Sequence, residues 1–292
     1  MKPAPFRYVR PDTLDEAIEA LGATPGARVL AGGQSLVPLM NQRRARPAAL
    51  VDITRLGGDL GVVDAGDGRL RVGALVTQTA FEDVPELARR CPLVHECLPF
   101  TGHLATRNRG TVGGSIAHAD PRAELPLALL ALGGRAEVAG RAGRRTLAAE
   151  DLFTGPYENA LGDGEILVAT EWPTTEALPG QAFEEVAQRH GDYTIAAAAC
   201  ALRVGDDGQV VEARVAVGAV SDRPLLLGAA AAALTGAAVD DARAEEAGHA
   251  AAAAVEPIED IHGSARYRRR LVEVLVARTA RRAWHRAREA AA

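Results

Sequence analysis

Apolar positions mark out the elements of this chain before any motif does. Leu14, Ala17, Ile18 and Leu21 recur at helical spacing, with Thr13 and Glu16 placed as a capping box and Gly22 closing the run. Tyr8 and Val9 form a short extended segment before that helix, and Arg28, Val29 and Leu30 a brief strand after it. Leu36, Val37, Leu39 and Met40 predict a short helix over 35–43, and the run 49–53 reads as a buried strand. Alternation over 70–75, behind the turn Gly66-Asp67-Gly68, predicts another strand. Residues 79–90 predict a helix that Pro92 stops, 93–102 a second helix, and the apolar run 124–132 a third. Segments 136–139 and 144–147 look like a hairpin, and 166–172 a strand closed by Pro173.

The pattern shifts at 173–179, a polar stretch bearing two prolines, which predicts a domain boundary. Beyond it, 182–188, 195–204 and 210–217 predict three antiparallel strands, with Asp206-Asp207-Gly208 as the tight turn between the last two. Helices over about 225–235, 240–254 and 264–288 fill the remainder, their alanine runs suited to close packing. The division is a first domain over 1–175, with parts at about 1–55 and 56–175, and a second over 178–288.

Composition narrows the class. With 292 residues, 48% hydrophobic, 24% charged and a net charge of −5, the chain has the make-up of a globular protein of more than one domain. Mild acidity excludes a nucleic-acid footprint, and the arginines near the C-terminus interleave with Leu271, Val274, Leu275 and Val276 as a solvated helix face. Cys91, Cys97 and Cys200 offer neither a disulfide framework nor an iron–sulfur ligand run and fit free thiols in a reducing compartment. No N-terminal apolar run has signal-peptide length, and no alanine run reaches the ~20 apolar residues of a membrane span, so a cytoplasmic location is expected.

Two glycine stretches carry the candidate chemistry. Gly110-Thr111-Val112-Gly113-Gly114-Ser115 holds glycines that admit positive φ and close approach, flanked by hydroxyls, and successive free N–H groups there would form a concave anion site. About eighty residues earlier, Ala31-Gly32-Gly33-Gln34-Ser35-Leu36 repeats the dress, ahead of a short helix whose N-terminus would favour a phosphate. The pair suggests one phosphate-bearing ligand gripped from both sides. Neither stretch is a P-loop or a G-x-G-x-x-G fingerprint, no G-x-S-x-G is present, and the seven histidines are scattered without zinc spacing. A flavin dinucleotide fits what remains, because its pyrophosphate can be held by neutral donors without lysine or metal.

Ala31-Gly32-Gly33-Gln34-Ser35-Leu36-Val37-Pro38, with Thr111-Val112-Gly113-Gly114-Ser115, Ala119-Asp120-Pro121 and Gly191-Asp192-Tyr193, resembles the FAD-binding medium subunit of molybdenum hydroxylases, of the carbon monoxide dehydrogenase and xanthine dehydrogenase type. The resemblance spans essentially the whole chain. It implies an α+β fold: a two-part FAD-binding domain (PCMH-type), then a smaller domain with a three-stranded antiparallel sheet and helices. It also implies that Ala31, Gly32, Gly33, Gln34, Ser35 and Leu36, with Thr111, Gly113, Gly114 and Ser115, wrap the FAD pyrophosphate and ribityl. Asp120 and Glu124 would lie beside the adenosine or ribityl part, Asp192 and Tyr193 would approach the ring, and Leu167 would lie near it. Gln34, Ser115 and Glu124 depart from the residues the family often has at those places.

The implied function is electron transfer. The chain would carry FAD, take electrons from iron–sulfur clusters of a partner and pass them to an external acceptor, with no catalytic acid or base and no metal of its own. The implied partners are a molybdopterin-binding large subunit and a 2Fe-2S small subunit, assembled as a dimer of heterotrimers. Two other readings stay open: a standalone FAD oxidase or dehydrogenase using Tyr193, His190 or His118 for proton transfer, and a scaffold that has lost its cofactor.

Overall fold

The computed structural model describes residues 1–66 and 68–291. Its first layer is a parallel sheet in the spatial order Arg7–Val9, Ala49–Asp52, Arg28–Leu30. Helix Leu14–Ala23 crosses over between strands. Its Thr13 hydroxyl accepts from Glu16 N–H at 3.2 Å, and Glu16 Oε2 accepts from Asp12 N–H at 2.9 Å. All four residues of Ala49–Asp52 are buried, as the apolar run predicts for a central parallel strand.

The second layer is an antiparallel sheet in the order Val63–Gly66, Arg69–Gly73, Ile166–Pro173, Arg135–Gly140, Gly143–Ala148. The hairpin and the strand closed by Pro173 are where the sequence placed them. Asp67, the middle of the expected turn, lies outside the described residues. Helix Glu124–Leu132 has every residue buried, because it runs through the middle of the molecule. It packs on Ile166–Pro173 on one side and on three strands of the C-terminal sheet on the other. A helix apolar all round needs such a place.

That C-terminal sheet has four antiparallel strands, not three: Gly180–Ala187, Thr194–Val204, Val210–Gly218 and Leu225–Leu226. The fourth pairs Leu225 with Val217 and Leu226 with Ala216, and is too short to show a period of two. The helix expected from 225 starts only at Gly228, and helices Gly228–Leu234, Asp241–Ala253 and Ala265–Ala291 cover the sheet. Strand Thr194–Val204 is buried on both faces. Ala197, Ala199 and Ala201 join the core of the first half, while Ala196, Ala198, Cys200 and Leu202 join the core under the helices.

Two helix expectations fail at prolines. The helix over 79–90 is broken into Gln78–Glu82 and Leu87–Arg90, with Glu86 between them at φ 64°. Pro85 is the reason, since it lacks an N–H and disfavours helical backbone at Val84. Pro92 opens the next helix, Pro92–Cys97, rather than merely ending the last, and a 3₁₀ turn, Leu98–Phe100, replaces the rest of 93–102.

Candidate functional site

The two glycine stretches meet. A Cβ on Gly32 would sit 2.1 Å from the Arg109 carbonyl oxygen and 2.9 Å from Gly110 Cα, so only a residue without a side chain lets these backbones touch. Gly114 lies beside Ala31, with 3.9 Å between its would-be Cβ and the alanine methyl. Gly33 has φ +72°, which supplies the left-handed bend after the contact.

The stretches divide the work differently from the sequence expectation. Thr111 caps a helix, Val112–His118, its hydroxyl accepting from Gly114 N–H at 3.0 Å, and Gly110, Gly113 and Gly114 have no positive φ. The N–H groups of Gly110, Val112, Gly113, Gly114 and Ser115 are not free. Val112 donates to Val76 O at 2.9 Å, Gly113 to Ala74 O at 3.1 Å and Ser115 to Thr111 O at 3.0 Å. Gly113 is there for closeness, since a Cβ would meet Ala74 Cβ at 2.5 Å. The free donors are in the first stretch: among the described residues, the N–H groups of Gly32, Gly33, Gln34, Ser35 and Leu36 find no acceptor in the chain. Gln34 folds back, Nε2 donating to Gly32 O at 3.2 Å, and Ser35 is exposed without a capping bond. Only six residues, Leu36–Asn41, are helical after it.

After the second stretch the chain turns sharply. Ala119 ends helix Val112–His118 at φ 50°, and its carbonyl accepts from Tyr157 N–H at 3.0 Å. Tyr157 is itself at φ 60°. A left-handed backbone at two linked non-glycine residues is costly and recurs at functional sites. Asn159 Nδ2 donates to Ala117 O at 2.6 Å and fixes the same corner. The His118 and Tyr157 rings lie 5.1 Å apart. Burial lowers the His118 pKa, against the pull of Asp120. Burial also raises that of Tyr157, helped by Asp120 and Tyr193 and opposed by Arg122 and Arg44.

From the C-terminal half, Tyr193 reaches this corner. It is 67% exposed, with the Arg122 guanidinium 5.9 Å from its ring centre. Asp192 is half-buried, and its N–H donates to Arg189 O at 3.1 Å. Asp120 is buried, Oδ1 accepting from Arg122 N–H at 3.0 Å. Arg122 pairs with Asp260, which also pairs with the fully buried Arg268 at 2.7 Å. Burial works against the Asp260 charge, but His262 N–H, Arg268 and Arg122 outweigh it and bring its pKa to about 2.

Two expected residues stand back from the corner. Glu124 is buried with Thr101 and Thr194 as partners, and Leu167 is a core residue, 4% exposed, beside a register shift in its strand. Arg44, Arg122 and Tyr157 were missed by motif reasoning. Arg122 sits inside the Asp120-Pro121-Arg122 run, where its charge beside a proposed phosphate site was a usable signal. Tyr157 had only a Gly155-Pro156 turn to mark it.

Five consecutive unpaired N–H groups, serine hydroxyls at Ser35 and Ser115, two arginines and two exposed tyrosine faces suit a ligand with an anionic linker and a flat ring. A flavin dinucleotide has both. Among the described residues, no group of histidine, cysteine and carboxylate side chains could hold a metal ion, and no helix is long and apolar enough to cross a membrane.

Comparison with known proteins matches residues 4–175 to the family model "FAD binding domain in molybdopterin dehydrogenase" and 181–283 to "CO dehydrogenase flavoprotein C-terminal domain". The chain is 37% identical over 279 residues to the nicotine 6-hydroxylase medium subunit of Paenarthrobacter nicotinovorans, covering 96% of this chain and 97% of that one. It is 34% identical over 288 residues to the carbon monoxide dehydrogenase medium chain of Afipia carboxidovorans, covering 98% and 99%. Among solved structures, quinoline 2-oxidoreductase from Pseudomonas putida 86 superposes with a TM-score of 0.92 at 39% identity, over 98% of this chain and 99% of that one. Carbon monoxide dehydrogenase from Hydrogenophaga pseudoflava gives 0.93 at 34%, over 98% and 99%.

Proposed function

The chain belongs to the family of FAD-binding medium subunits of molybdenum hydroxylases, and from that premise we propose that it is the electron-transfer subunit of such a complex, taking electrons from a partner's iron–sulfur clusters and passing them to an external acceptor. The observation that carries this reading is the junction of Gly32 with Arg109 and Gly110, which brings the first glycine stretch, with its five unpaired N–H groups, against the second. Gly32, Gly33, Gln34, Ser35 and Leu36 would hold the pyrophosphate through backbone donors, with Ala31, Gly114 and Ser115 closing the other side. Thr111 and Gly113 would keep that side in place through the helix cap and the contact with Ala74. Asp120 would face the ribityl or adenosine part, and Asp192 and Tyr193 the ring. Glu124 and Leu167 would support the pocket from behind.

When bound, FAD supplies the capacity to accept electrons singly or in pairs and to release them to a second partner. The protein's own contribution is binding, orientation and exclusion of water. The neutral donors of the first glycine stretch hold a dianion with no counter-ion in the loop. Tyr157 and Tyr193 offer flat faces, and the Arg122–Asp260–Arg268 chain of charges fixes the loop that carries Asp260 beside them.

The partners would be a molybdopterin-binding large subunit and a 2Fe-2S small subunit in a dimer of heterotrimers, and the domain division would fall at 175–178. Purification alone and after co-expression with neighbouring genes tests the reading. Flavin absorbance in both preparations, with iron–sulfur absorbance and two further chains in the second, is the expected outcome. A flavin bleached by a small organic substrate with no partner present would instead make the chain a standalone dehydrogenase. No flavin in either, even after added FAD, would sink both readings.

A further inference from the structure

The seam between helix Glu124–Leu132 and the C-terminal sheet holds two carboxyl groups with no cation between them. Glu124 opens the helix and is 7% exposed, and Glu185 lies on strand Gly180–Ala187, opposite Ala197 of the first-half core. The Thr194 hydroxyl oxygen lies 3.1 Å from Glu185 Oε2 and 3.4 Å from Glu124 Oε1. A threonine hydroxyl has a single proton and can donate to one of these oxygens alone, so a second bond needs a carboxyl that donates. Thr101, the other hydroxyl at Glu124, also lies 3.4 Å from the Cys97 carbonyl oxygen, and its single proton can serve only one of the two. Glu185 Oε1 is buried with no hydrogen-bond partner, a position a neutral carboxyl tolerates far better than a carboxylate.

The surrounding charges do not change this. Asp120 acts on Glu124 and repels its negative form, while the buried Cys97 thiol stays neutral beside it. Glu96, on the helix packed against the same strand, is bound by Arg282 and Arg286. Glu184 pairs with Arg278, and Arg122 with Asp260. His190 packs edge-on against Phe100, and His103 Nδ1 sits beside Gly191. Among the described residues no arginine, lysine or histidine is paired with either glutamate. Burial raises Glu124 to about 7, and burial together with the Glu124 charge raises Glu185 to about 8.

We propose that Glu124, Thr194 and Glu185 form a proton-carrying latch, which holds Asp192 and Tyr193 against the first half of the chain while at least one of the two carboxyls is neutral. Thr194 follows Tyr193 directly and Glu124 lies four residues after Asp120, so the latch ties together the two sides of the flavin corner. Losing both protons places two like charges in a buried seam and loosens that tie. As it bears on the cofactor, the inference rests on the FAD reading above.

The test compares the full chain with Glu185→Gln, which keeps size and hydrogen bonding but cannot ionise. Both glutamates have folded pKa values above the ordinary 4.5, so the stability they confer is full below that value, drains as the pH rises and is gone above about 8. The wild-type melting temperature should fall over that interval more steeply than that of the variant. The FAD dissociation constant of the wild type should rise about tenfold or more between about pH 6 and about pH 9, and that of E185Q should change less than about threefold. Thr194→Val, which removes the bridge, should weaken FAD at both pH values. Parallel pH profiles for wild type and E185Q in both melting and FAD affinity would overturn the latch. If neither binds FAD at about pH 6, the flavin reading fails instead, and the melting comparison alone decides whether the latch exists.

Discussion

Gly32 and Arg109, seventy-seven positions apart in sequence, touch so closely that a methyl on the glycine would lie 2.1 Å from the arginine carbonyl oxygen. The neighbour is backbone and cannot swing away. Gly32→Ala must therefore push the two stretches apart, and overpacking of this kind costs about 1–3 kcal/mol. The expected result is a lowered melting temperature and loss of FAD binding, read by calorimetry and flavin fluorescence. Gly228, the first residue of helix Gly228–Leu234, where a Cβ would meet nothing within 4 Å, is the control. Gly228→Ala should leave both within error, and an equally damaging G228A would refute the junction as the cause.

Tyr193 separates binding from folding. At 67% exposure it supplies little to the core, so Tyr193→Ala should shift stability by no more than about 0.5 kcal/mol. If its ring borders the flavin, the same change should weaken FAD about tenfold, or ~1.4 kcal/mol. Titration with FAD at neutral pH decides it, and unchanged affinity would remove Tyr193 from the site.

Asp260 answers a buried charge. Arg268 is fully buried and Asp260 is its carboxylate partner, so Asp260→Asn strands a guanidinium in the interior at a cost of about 3–5 kcal/mol. The pH dependence has the opposite sign to that of the glutamate latch. The Asp260 pKa is lowered from 3.8 to about 2, so the stability it confers is present above 3.8 and drains as the pH falls to about 2. Acid unfolding of the wild type should therefore show a loss in that window that D260N lacks. Coincident acid-unfolding curves would contradict the assignment.

Periodicity and caps made much of the fold legible. Thr13 with Glu16, the strand closed by Pro173 and the nine-residue run at 124–132 each carry their own physical instruction, and the structure follows them. Pro85 was a readable breaker that the apolar spacing around it masked. Leu225 and Leu226 were not legible, because a two-residue strand exists only through the edge it pairs with.

The site divides the same way. Sequence alone determined the family, through two glycine stretches with matching hydroxyls, since residue types and spacing are local and survive without coordinates. Tertiary structure decided which stretch has free N–H groups: Val76 and Ala74, brought in from the turn after strand Arg69–Gly73, accept from Val112 and Gly113, while the first stretch's donors stay open. It also decided that Glu124 turns inward to Thr194 and Glu185, and that Tyr157 and Arg122 share a corner with Tyr193. Hydrogen-bond partners and burial are set by what the folded chain places alongside a residue, and no local pattern encodes that neighbour.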